Sequence, residues 1–264
     1  MRIRVIGIGM GPQHVTPEAA AALRDADYVI AARKGDDDGL LAVRRAVADS
    51  FGVEVVAVDD PERDRAPSTG YPGAVAAWHA ARVRAYERVL RERGGTAAFL
   101  VWGDPSLYDS TIRVVSQLAE RLPADWDVLP GVSAPQLLAA RHRIVLHEIG
   151  QPVHVTPARR LRAAVAAGQR NIVVMLGGAL DLDGLDDWSI WWGANLGTPS
   201  EELAAGRVAD VRGELAAARA RAKAAAGWVL DICLLRCGTG DEEPADAAPQ
   251  AGREREGRWT GVLG

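Results

Sequence analysis

The residues of this sequence that are best placed to do chemistry stand in loops that directly follow apolar runs. Residues 103–106, Gly-Asp-Pro-Ser, come after the apolar run 97–102, and His14 stands in the loop after the first apolar run. A carboxylate or an imidazole in such a loop can accept or deliver a proton, so we predict Asp104 and His14 as the proton-handling groups. The alternative is that Asp-Pro only forms a turn, as this dipeptide often does.

Two further loops of the same kind follow later apolar runs. Residues 130–133 have the sequence Pro-Gly-Val-Ser, and residues 174–178 have the sequence Val-Met-Leu-Gly-Gly. Open α/β sheets bind their ligands at the carboxyl ends of the strands. We therefore predict that these two loops and residues 103–106 line a single cleft.

The first loop, residues 7–11, has the sequence Gly-Ile-Gly-Met-Gly, which is typical of turns whose backbone binds phosphate. The dinucleotide fingerprint requires a third glycine at position 12, where this chain has Pro12, and an acid about twenty residues further on. The acids after the third predicted strand, Asp59 and Asp60, lie about fifty residues downstream instead. A Rossmann-type oxidoreductase is therefore disfavoured but stays an alternative.

Clusters of arginine could bind a ligand that carries several carboxylates. Most such clusters are solvated surface, but a polycarboxylate needs several guanidinium groups, which bind carboxylates through paired hydrogen bonds. The candidate residues are Arg33, Arg141, Arg143 and Arg159.

No metal site is predicted. The only cysteines, Cys233 and Cys237, are four residues apart in an apolar run without a nearby histidine, so reduced packing cysteines are expected. Three further histidines are isolated, without the spacing of metal ligands: His79, His147 and His154.

Apolar runs rich in Val, Ile and Leu alternate with Ala-, Arg- and Glu-rich segments of helical period, which predicts βα units around a mainly parallel sheet. In the first half, strands are predicted at 2–8, 28–32, 53–58, 97–102 and 126–129. The helices predicted there span residues 17–26, 40–49, 72–93 and 110–121. In the second half, strands are predicted at 153–156, 172–176, 189–192 and 228–235, and helices at 158–167, 200–204 and 211–225.

This pattern predicts an α/β protein of two lobes with a ligand cleft between them. The N-terminal domain, with the mainly parallel sheet, is predicted at 1–131, and a smaller C-terminal α/β domain at 132–237. Residues 238–264 are rich in Gly, Pro, Ala and charge with little to bury, which predicts a disordered tail.

The chain has 264 residues and a formal net charge of -4. The predicted tail holds six acids and three arginines, so it supplies -3 of that charge and leaves the rest of the chain nearly neutral. Such a balance lacks the basic footprint of nucleic-acid binding, and no apolar run is long enough to span a bilayer. The first residues form a strand pattern and not a secretory signal, which favours the cytoplasm.

Taken in order, these motifs resemble those of the tetrapyrrole (corrin/porphyrin) methylase family. The resemblance covers about residues 1–236 and rests on 7–11, Thr16, 26–27, 103–108, 130–133, 173–175 and 197–198. Within the family, the branch that acts on precorrin-5 is the most similar, through residues 60–65, 78–82, 99–105, 107–111, 139–143, 150–154 and 192–199.

The resemblance implies a homodimeric, two-lobed methyltransferase that holds S-adenosylmethionine in the trough between the lobes, largely through backbone contacts. Matched to the family motifs, the cofactor contacts would be Met10, Gly103, Asp104, Leu107, Ser133, Ala134, Met175 and the backbone near Ala194. The glycine loop would face the tetrapyrrole through Gly9 and Gly11. Many relatives hold the adenine with a Pro-Ala motif, which residues 227–232 replace here, so no adenine contact is carried over to them.

The implied reaction is methyl transfer to ring carbon C-1 of precorrin-5 with loss of the acetyl group as acetate, in aerobic cobalamin biosynthesis. Deacetylation requires a base beside a water molecule. We predict Asp104 or His14 as that base, and Tyr108 and Asp109 are the next candidates. The four candidate arginines would bind the acidic side chains of the substrate. Another corrin methylase, a diphthamide-type methylase and a tetrapyrrole carrier without transfer activity stay open as alternatives.

Overall fold

The computed structural model describes residues 1–33, 39–61, 70–176, 178 and 180–238. Within these residues the strands form two five-stranded sheets. The first sheet has the order β3-β2-β4-β1-β5, and each of its strand pairs is parallel, which confirms the predicted parallel sheet. Its strands are β1 (Arg2–Gly7), β2 (Tyr28–Arg33), β3 (Glu54–Asp59), β4 (Thr96–Val101) and β5 (Asp125–Leu129).

The strands of the first sheet are connected by helices, as a parallel sheet requires. The first helix begins where the sequence predicts, because Thr16 accepts a hydrogen bond from the Ala19 N–H at 3.1 Å and Pro17 takes the first helical position. None of the helices in the described part of the chain has both the length and the hydropathy that a bilayer span requires. The helices of this half are α1 (Pro17–Arg24), α2 (Gly39–Ser50), α3 (Gly70–Arg93) and α4 (Thr111–Arg121).

Side chains of the parallel sheet are buried on both faces. Val5 belongs to a core cluster with residues of α3 and α4, whereas its neighbour Ile6 belongs to a cluster with residues of α1 and α2. Successive side chains of a strand point to opposite faces, so a sheet covered on both sides needs an unbroken apolar run. This requirement explains why the strands of the first half are easy to locate in the sequence.

The second sheet has the order β6-β7-β10-β8-β9 and is mostly antiparallel, with only the β6–β7 pair parallel. Residues of α6 and α7 pack against this sheet in one core cluster. Residues of α5 pack against it in a second cluster, which also contains Met10 of the glycine loop. The elements of this half are α5 (Ala134–His142), β6 (His154–Pro157), α6 (Leu161–Ala166), β7 (Asn171–Met175), β8 (Trp188–Ala194), β9 (Glu202–Arg207), α7 (Val208–Ala226) and β10 (Asp231–Cys237).

The sequence predictions fail at three places in the second half. The helix predicted at 200–204 is wrong, because Glu202–Arg207 pair with β8 along their whole length. The Ala-rich segment favours a helix locally, and the hydrogen bonds to β8 together with the cover of α7 override that preference. The strand predicted at 228–235 begins only at Asp231, and the helix α5 was not predicted.

Two predictions about domain organisation have a clear place in the structure. The predicted boundary between residues 131 and 132 falls between β5 and α5, and the division into domains stays a prediction. The predicted disordered tail lies outside the described residues from position 239 onward.

Cys233 is buried and Cys237 is half-buried, and both are free thiols.

Backbone atoms of three loops touch at the carboxyl edge of the parallel sheet, in a contact that we call the glycine crossing (Gly7, Gly9, Gly103 and Gly131). Gly9 and Gly103 form an isolated antiparallel bridge, in which the Gly103 N–H donates to the Gly9 carbonyl at 2.7 Å. A Cβ on Gly7 would lie 2.6 Å from the Gly131 nitrogen, and a Cβ on Gly131 would collide with the Gly103 carbonyl oxygen. The loops after β1, β4 and β5 can approach this closely only because they lack side chains at these points.

The first testable prediction concerns this contact. We expect Gly131→Ala to lower the free energy of unfolding by about 1–3 kcal/mol, because the added methyl group meets backbone that cannot move aside. The matched control is Gly213→Ala within α7, where a Cβ meets open space and the better helix propensity should raise stability by up to about 1 kcal/mol. Urea denaturation measures both, and equal stability of the two variants would contradict the close contact.

Candidate functional site

A cavity of about 320 Å³ opens between the two sheets, beside the glycine crossing. The loops after β4, β5 and β7 contribute to its wall, and the wall is completed by the segment that leads into β10. The three strand-end loops that were predicted to line one cleft therefore do so. The lining residues are Met10, Trp102, Gly103, Asp104, Leu107, Tyr108, Asp109, Ser133, Ala134, Met175, Leu176, Leu196, Val229, Leu230, Asp231 and Ile232.

Most of the predicted cofactor residues lie in this wall. Met10, Gly103, Asp104, Leu107, Ser133, Ala134 and Met175 all line the cavity, as does Tyr108. Ala194 does not reach it, because its side chain is fully buried in the core of the second sheet. Asp231, the partner of Ala194 in the β8–β10 pair, and Leu196 occupy the wall there instead.

The carboxylate of Asp104 joins two of the loops. Its Oδ1 accepts hydrogen bonds from the Ser106 N–H at 2.8 Å and the Ser106 hydroxyl at 2.5 Å, and its Oδ2 accepts one from the Gly131 N–H at 2.9 Å. Burial raises the pKa of Asp104, but the hydrogen bonds from Ser106 and Gly131 outweigh burial and hold that pKa below its ordinary value. A carboxylate with these properties is a weak base, so the geometry favours a structural role for Asp104.

Tyr108 stands at the mouth of the cavity in an unusual conformation. Its φ angle is 51°, in the left-handed region that bulky residues rarely adopt, and 42% of the residue is exposed. Its hydroxyl donates to the Val155 carbonyl of β6 at 3.3 Å, so it connects the loop after β4 to the second sheet. Burial raises the pKa of Tyr108, and the nearby charge of Arg159 opposes that shift, so the phenol is protonated at neutral pH.

The wall segment before β10 is held by Asn195, which was not singled out in the sequence. Asn195 is 1% exposed and has a φ of 50°; its Oδ1 accepts from the Leu230 N–H at 2.9 Å, and its Nδ2 donates to the Trp228 carbonyl at 3.2 Å. Its backbone N–H also donates to the Leu230 carbonyl at 2.9 Å. The residue type was the one signal in the sequence that could have indicated this role. Asparagine tolerates the left-handed conformation and carries both a hydrogen-bond donor and an acceptor.

His14, the second predicted proton-handling residue, lies outside the cavity wall. It ends the short 3₁₀ turn Pro12–His14, and its side chain packs against Gly9. Burial and the charge of Arg141 lower the pKa of His14, against the opposing effect of Glu201. The ring is therefore neutral at pH 7, and its Nδ1 is buried without a hydrogen-bond partner among the described residues.

The glycine loop also contacts the second sheet. Gln13 packs over Gly11, and its Nε2 donates to the Gly197 carbonyl at 2.7 Å. Gly197 in turn approaches Met10 so closely that a Cβ on Gly197 would collide with the Met10 carbonyl. Gly9 and Gly11 therefore lie where the two sheets meet, and their predicted contact with substrate stays a prediction.

The four predicted substrate arginines have different surroundings. Arg33 pairs with Asp59 at 2.6 Å, and Arg141 pairs with Glu201 at 2.7 Å. Arg143 is exposed at the end of α5, with a φ of 55°. Arg159 is exposed, has no ion pair within the described residues, and lies close enough to Tyr108 to influence its titration. The structure therefore brings only Arg159 to the mouth of the cavity with a free charge.

The second testable prediction follows from the surroundings of His14. Because folding lowers its pKa below 6.5, the unfolded chain binds the proton more tightly, and stability should fall as pH drops below about 6.5. We expect an NMR titration of His14, assigned with His14→Gln, to have its midpoint below 6.5, and we expect His14→Gln to lose less stability than wild type between pH 7.5 and 5.5. A midpoint above 6.5 would contradict the described burial.

The comparisons with known proteins agree with this geometry. Residues 2–212 match the family model of the Tetrapyrrole (Corrin/Porphyrin) Methylases. A relative from Sinorhizobium sp, named precorrin-6A synthase (deacetylating), is 42% identical over 258 residues, which cover 92% of this chain and 97% of that protein. The family match ends at residue 212, before the tail.

Solved structures have the same fold. A cobalamin synthesis related protein from Corynebacterium diphtheriae is 37% identical, with a TM-score of 0.76 and coverage of 89% of this chain and 98% of that chain. The uroporphyrin-III C-methyl transferase of Thermus thermophilus, solved in complex with S-adenosyl homocysteine, is 19% identical with a TM-score of 0.57, and covers 89% of this chain and 97% of that chain. The second likeness supports the fold alone, whereas the family match and the 42% identical relative are decisive. The chain belongs to the tetrapyrrole (corrin/porphyrin) methylases.

Proposed function

We propose that the chain is a precorrin-6A synthase (deacetylating). It transfers the methyl group of S-adenosylmethionine to ring carbon C-1 of precorrin-5 and releases the acetyl group as acetate, in aerobic cobalamin biosynthesis. The observation that carries the proposal is the 42% identity to the relative of that name, which extends over nearly the whole of both chains. A homodimer and a cytoplasmic location belong to the same proposal.

The cavity is suited to S-adenosylmethionine. Its side walls are apolar, through residues such as Met10, Leu107 and Ile232, while the carboxylate of Asp104, whose pKa is held below its ordinary value, supplies negative charge. A cationic ligand is therefore favoured over an anionic dinucleotide, whose phosphates this carboxylate would repel. Membership of the tetrapyrrole methylase family supports S-adenosylmethionine as the ligand here.

The walls also suit the methyl transfer step. Transfer neutralises the sulfonium charge, so an apolar wall disfavours the charged ground state more than the transition state. The glycine crossing and the Asp104 hydrogen bonds keep the loops after β4 and β5 in position before any ligand arrives, which reduces the entropy lost on binding. A donor site of fixed shape would help to keep the sulfonium methyl in line with the ring carbon, which is the main requirement of this chemistry.

The tetrapyrrole would enter at the mouth of the cavity. Tyr108, Leu176 and Leu230 line the cavity, and each of them is at least 41% exposed, so they form an apolar rim. A planar macrocycle can stack on such a rim while its acidic side chains reach outward. Arg159 is the cation best placed to meet those side chains, because it lies beside Tyr108 and is not engaged by a described carboxylate.

The reaction assay is the third testable prediction. We expect the purified protein, given precorrin-5 and S-adenosylmethionine, to release acetate and S-adenosylhomocysteine in equal amounts. A related methylase would produce S-adenosylhomocysteine without acetate, and a carrier would produce neither, so either result would contradict the proposal. Calorimetry should show saturable binding of S-adenosylhomocysteine, and saturable binding of NADH in its place would favour an oxidoreductase.

The fourth testable prediction concerns the substrate carboxylates. We expect Arg159→Gln to raise the KM for the tetrapyrrole roughly fivefold, as the loss of a partly exposed ion pair of about 1 kcal/mol would give, with little change in the KM for S-adenosylmethionine. The matched control is Arg160→Gln, which removes the same charge from the neighbouring exposed position. Steady-state kinetics measures both variants, and equal effects would show that only the general charge of the surface matters.

A further inference from the structure

Three carboxylates line the cavity, and deacetylation needs one group that can take a proton from water. The three residues are Asp104, Asp109 and Asp231. A general base must offer an oxygen that is free of strong donors and that water can reach. The hydrogen bonds of the three residues differ enough to separate them on this criterion.

Asp104 and Asp231 do not meet the criterion. Both oxygens of Asp104 accept hydrogen bonds from Ser106 and Gly131. Asp231 pairs through Oδ2 with Arg219 at 2.9 Å, and its Oδ1 is sealed from solvent in a side chain that is 2% exposed. Asp104 therefore has no free oxygen, and the free oxygen of Asp231 is out of reach of water.

Asp109 meets the criterion. Its Oδ1 accepts a hydrogen bond from the Thr111 N–H at 2.6 Å, at the start of α4, which fixes the orientation of the carboxylate. Its Oδ2 has no hydrogen-bond partner among the described residues and is not among the oxygens sealed from solvent. The carboxylate is thus held by one oxygen and open at the other, next to the rim residue Tyr108.

The cations near Asp109 are engaged elsewhere or stand apart from it. Arg82 approaches Ser110 at 3.5 Å, but it is bound to both oxygens of Asp60, at 2.5 and 2.9 Å. Its guanidinium also stacks over Trp78 at 4.0 Å. Arg44 donates to the Leu100 carbonyl. No ion pair to Asp109 is formed by any residue that the structure describes.

The other candidate bases are less suitable. His14 is neutral and has a reachable Nε2, but it lies outside the cavity wall. Tyr108 lines the cavity, but its raised pKa keeps the phenol protonated, so it can donate a proton and not accept one. Asp109 is therefore the group in the wall that combines a free oxygen with access to water.

We propose that Asp109 is the general base that activates water for deacetylation, an inference that rests on the proposed function. Asp109 accepts one proton from water as the water oxygen bonds to the acetyl carbonyl carbon. The bond between that carbon and ring carbon C-1 then breaks, and acetic acid leaves. The electron pair left at C-1 bonds to the sulfonium methyl carbon, whose bond to sulfur breaks with its pair on sulfur. Asp109 finally returns its proton to solvent.

The test is Asp109→Asn, in which the side-chain oxygen can still accept the Thr111 N–H. We expect acetate release to fall at least about a hundredfold, the usual contribution of a general base, and S-adenosylhomocysteine formation to fall with it. Affinity for S-adenosylhomocysteine, by calorimetry, should stay within about twofold of wild type, because the fold and the cavity are retained. The fifth prediction is that kcat falls while the KM for S-adenosylmethionine is preserved.

The matched control is Asp181→Asn. Asp181 accepts the Asp183 N–H through Oδ1 in a similar turn and is exposed, but it lies outside the cavity wall. Acetate release by Asp109→Asn within threefold of wild type, or a loss that Asp181→Asn matches, would overturn the assignment of Asp109. If acetate release fell a hundredfold in His14→Asn and stayed unchanged in Asp109→Asn, the general base would be His14 instead. Wild type that releases no acetate would instead overturn the proposed function itself.

Discussion

The contact of bare backbone at the carboxyl edge of the parallel sheet is the constraint on which the rest of the structure depends. Three strand ends meet at the glycine crossing, where Gly7 and Gly131 lie so close to each other and to the Gly103 carbonyl that neither position has room for a side chain. Asp104 adds a charged hydrogen bond from one loop to the next, at the Gly131 N–H. Because loops normally move more than strands, this contact gives the loops after β4 and β5 the rigidity of the sheet itself. The cavity wall is therefore formed before a ligand is present.

The second sheet closes the cavity through contacts of a different kind. Gln13 and Gly197 join the glycine loop to the segment after β8, and Asn195 in that segment holds the last wall residues before β10. Tyr108, Leu176 and Asn195 all adopt left-handed conformations around the same cavity. Such conformations cost free energy and persist where the surrounding structure enforces them, which is common at functional sites. Here Tyr108 and Leu176 belong to the apolar rim of the cavity.

The sequence predicts the first half of the fold better than the second, for a physical reason. A parallel sheet covered on both faces requires largely apolar strands, and those are visible in the sequence as β2 and β4. The strand β9 is Ala-rich and depends on pairing with β8, so local preference predicts a helix there. The positions of the cavity loops were predictable from strand ends, and the roles of Asp104 and Asn195 were not, because hydrogen bonds between distant segments decide them.

Loops of the first sheet and the β10 segment of the second sheet together line one preformed cavity. Hydrogen exchange with and without S-adenosylhomocysteine tests this most directly, since it reports both sides of the cavity in one measurement. We expect the ligand to slow exchange together in residues 103–109, 131–134, 175–176 and 229–232, all of which line the cavity or adjoin it. Slowed exchange confined to the glycine loop, residues 7–14, would contradict that expectation.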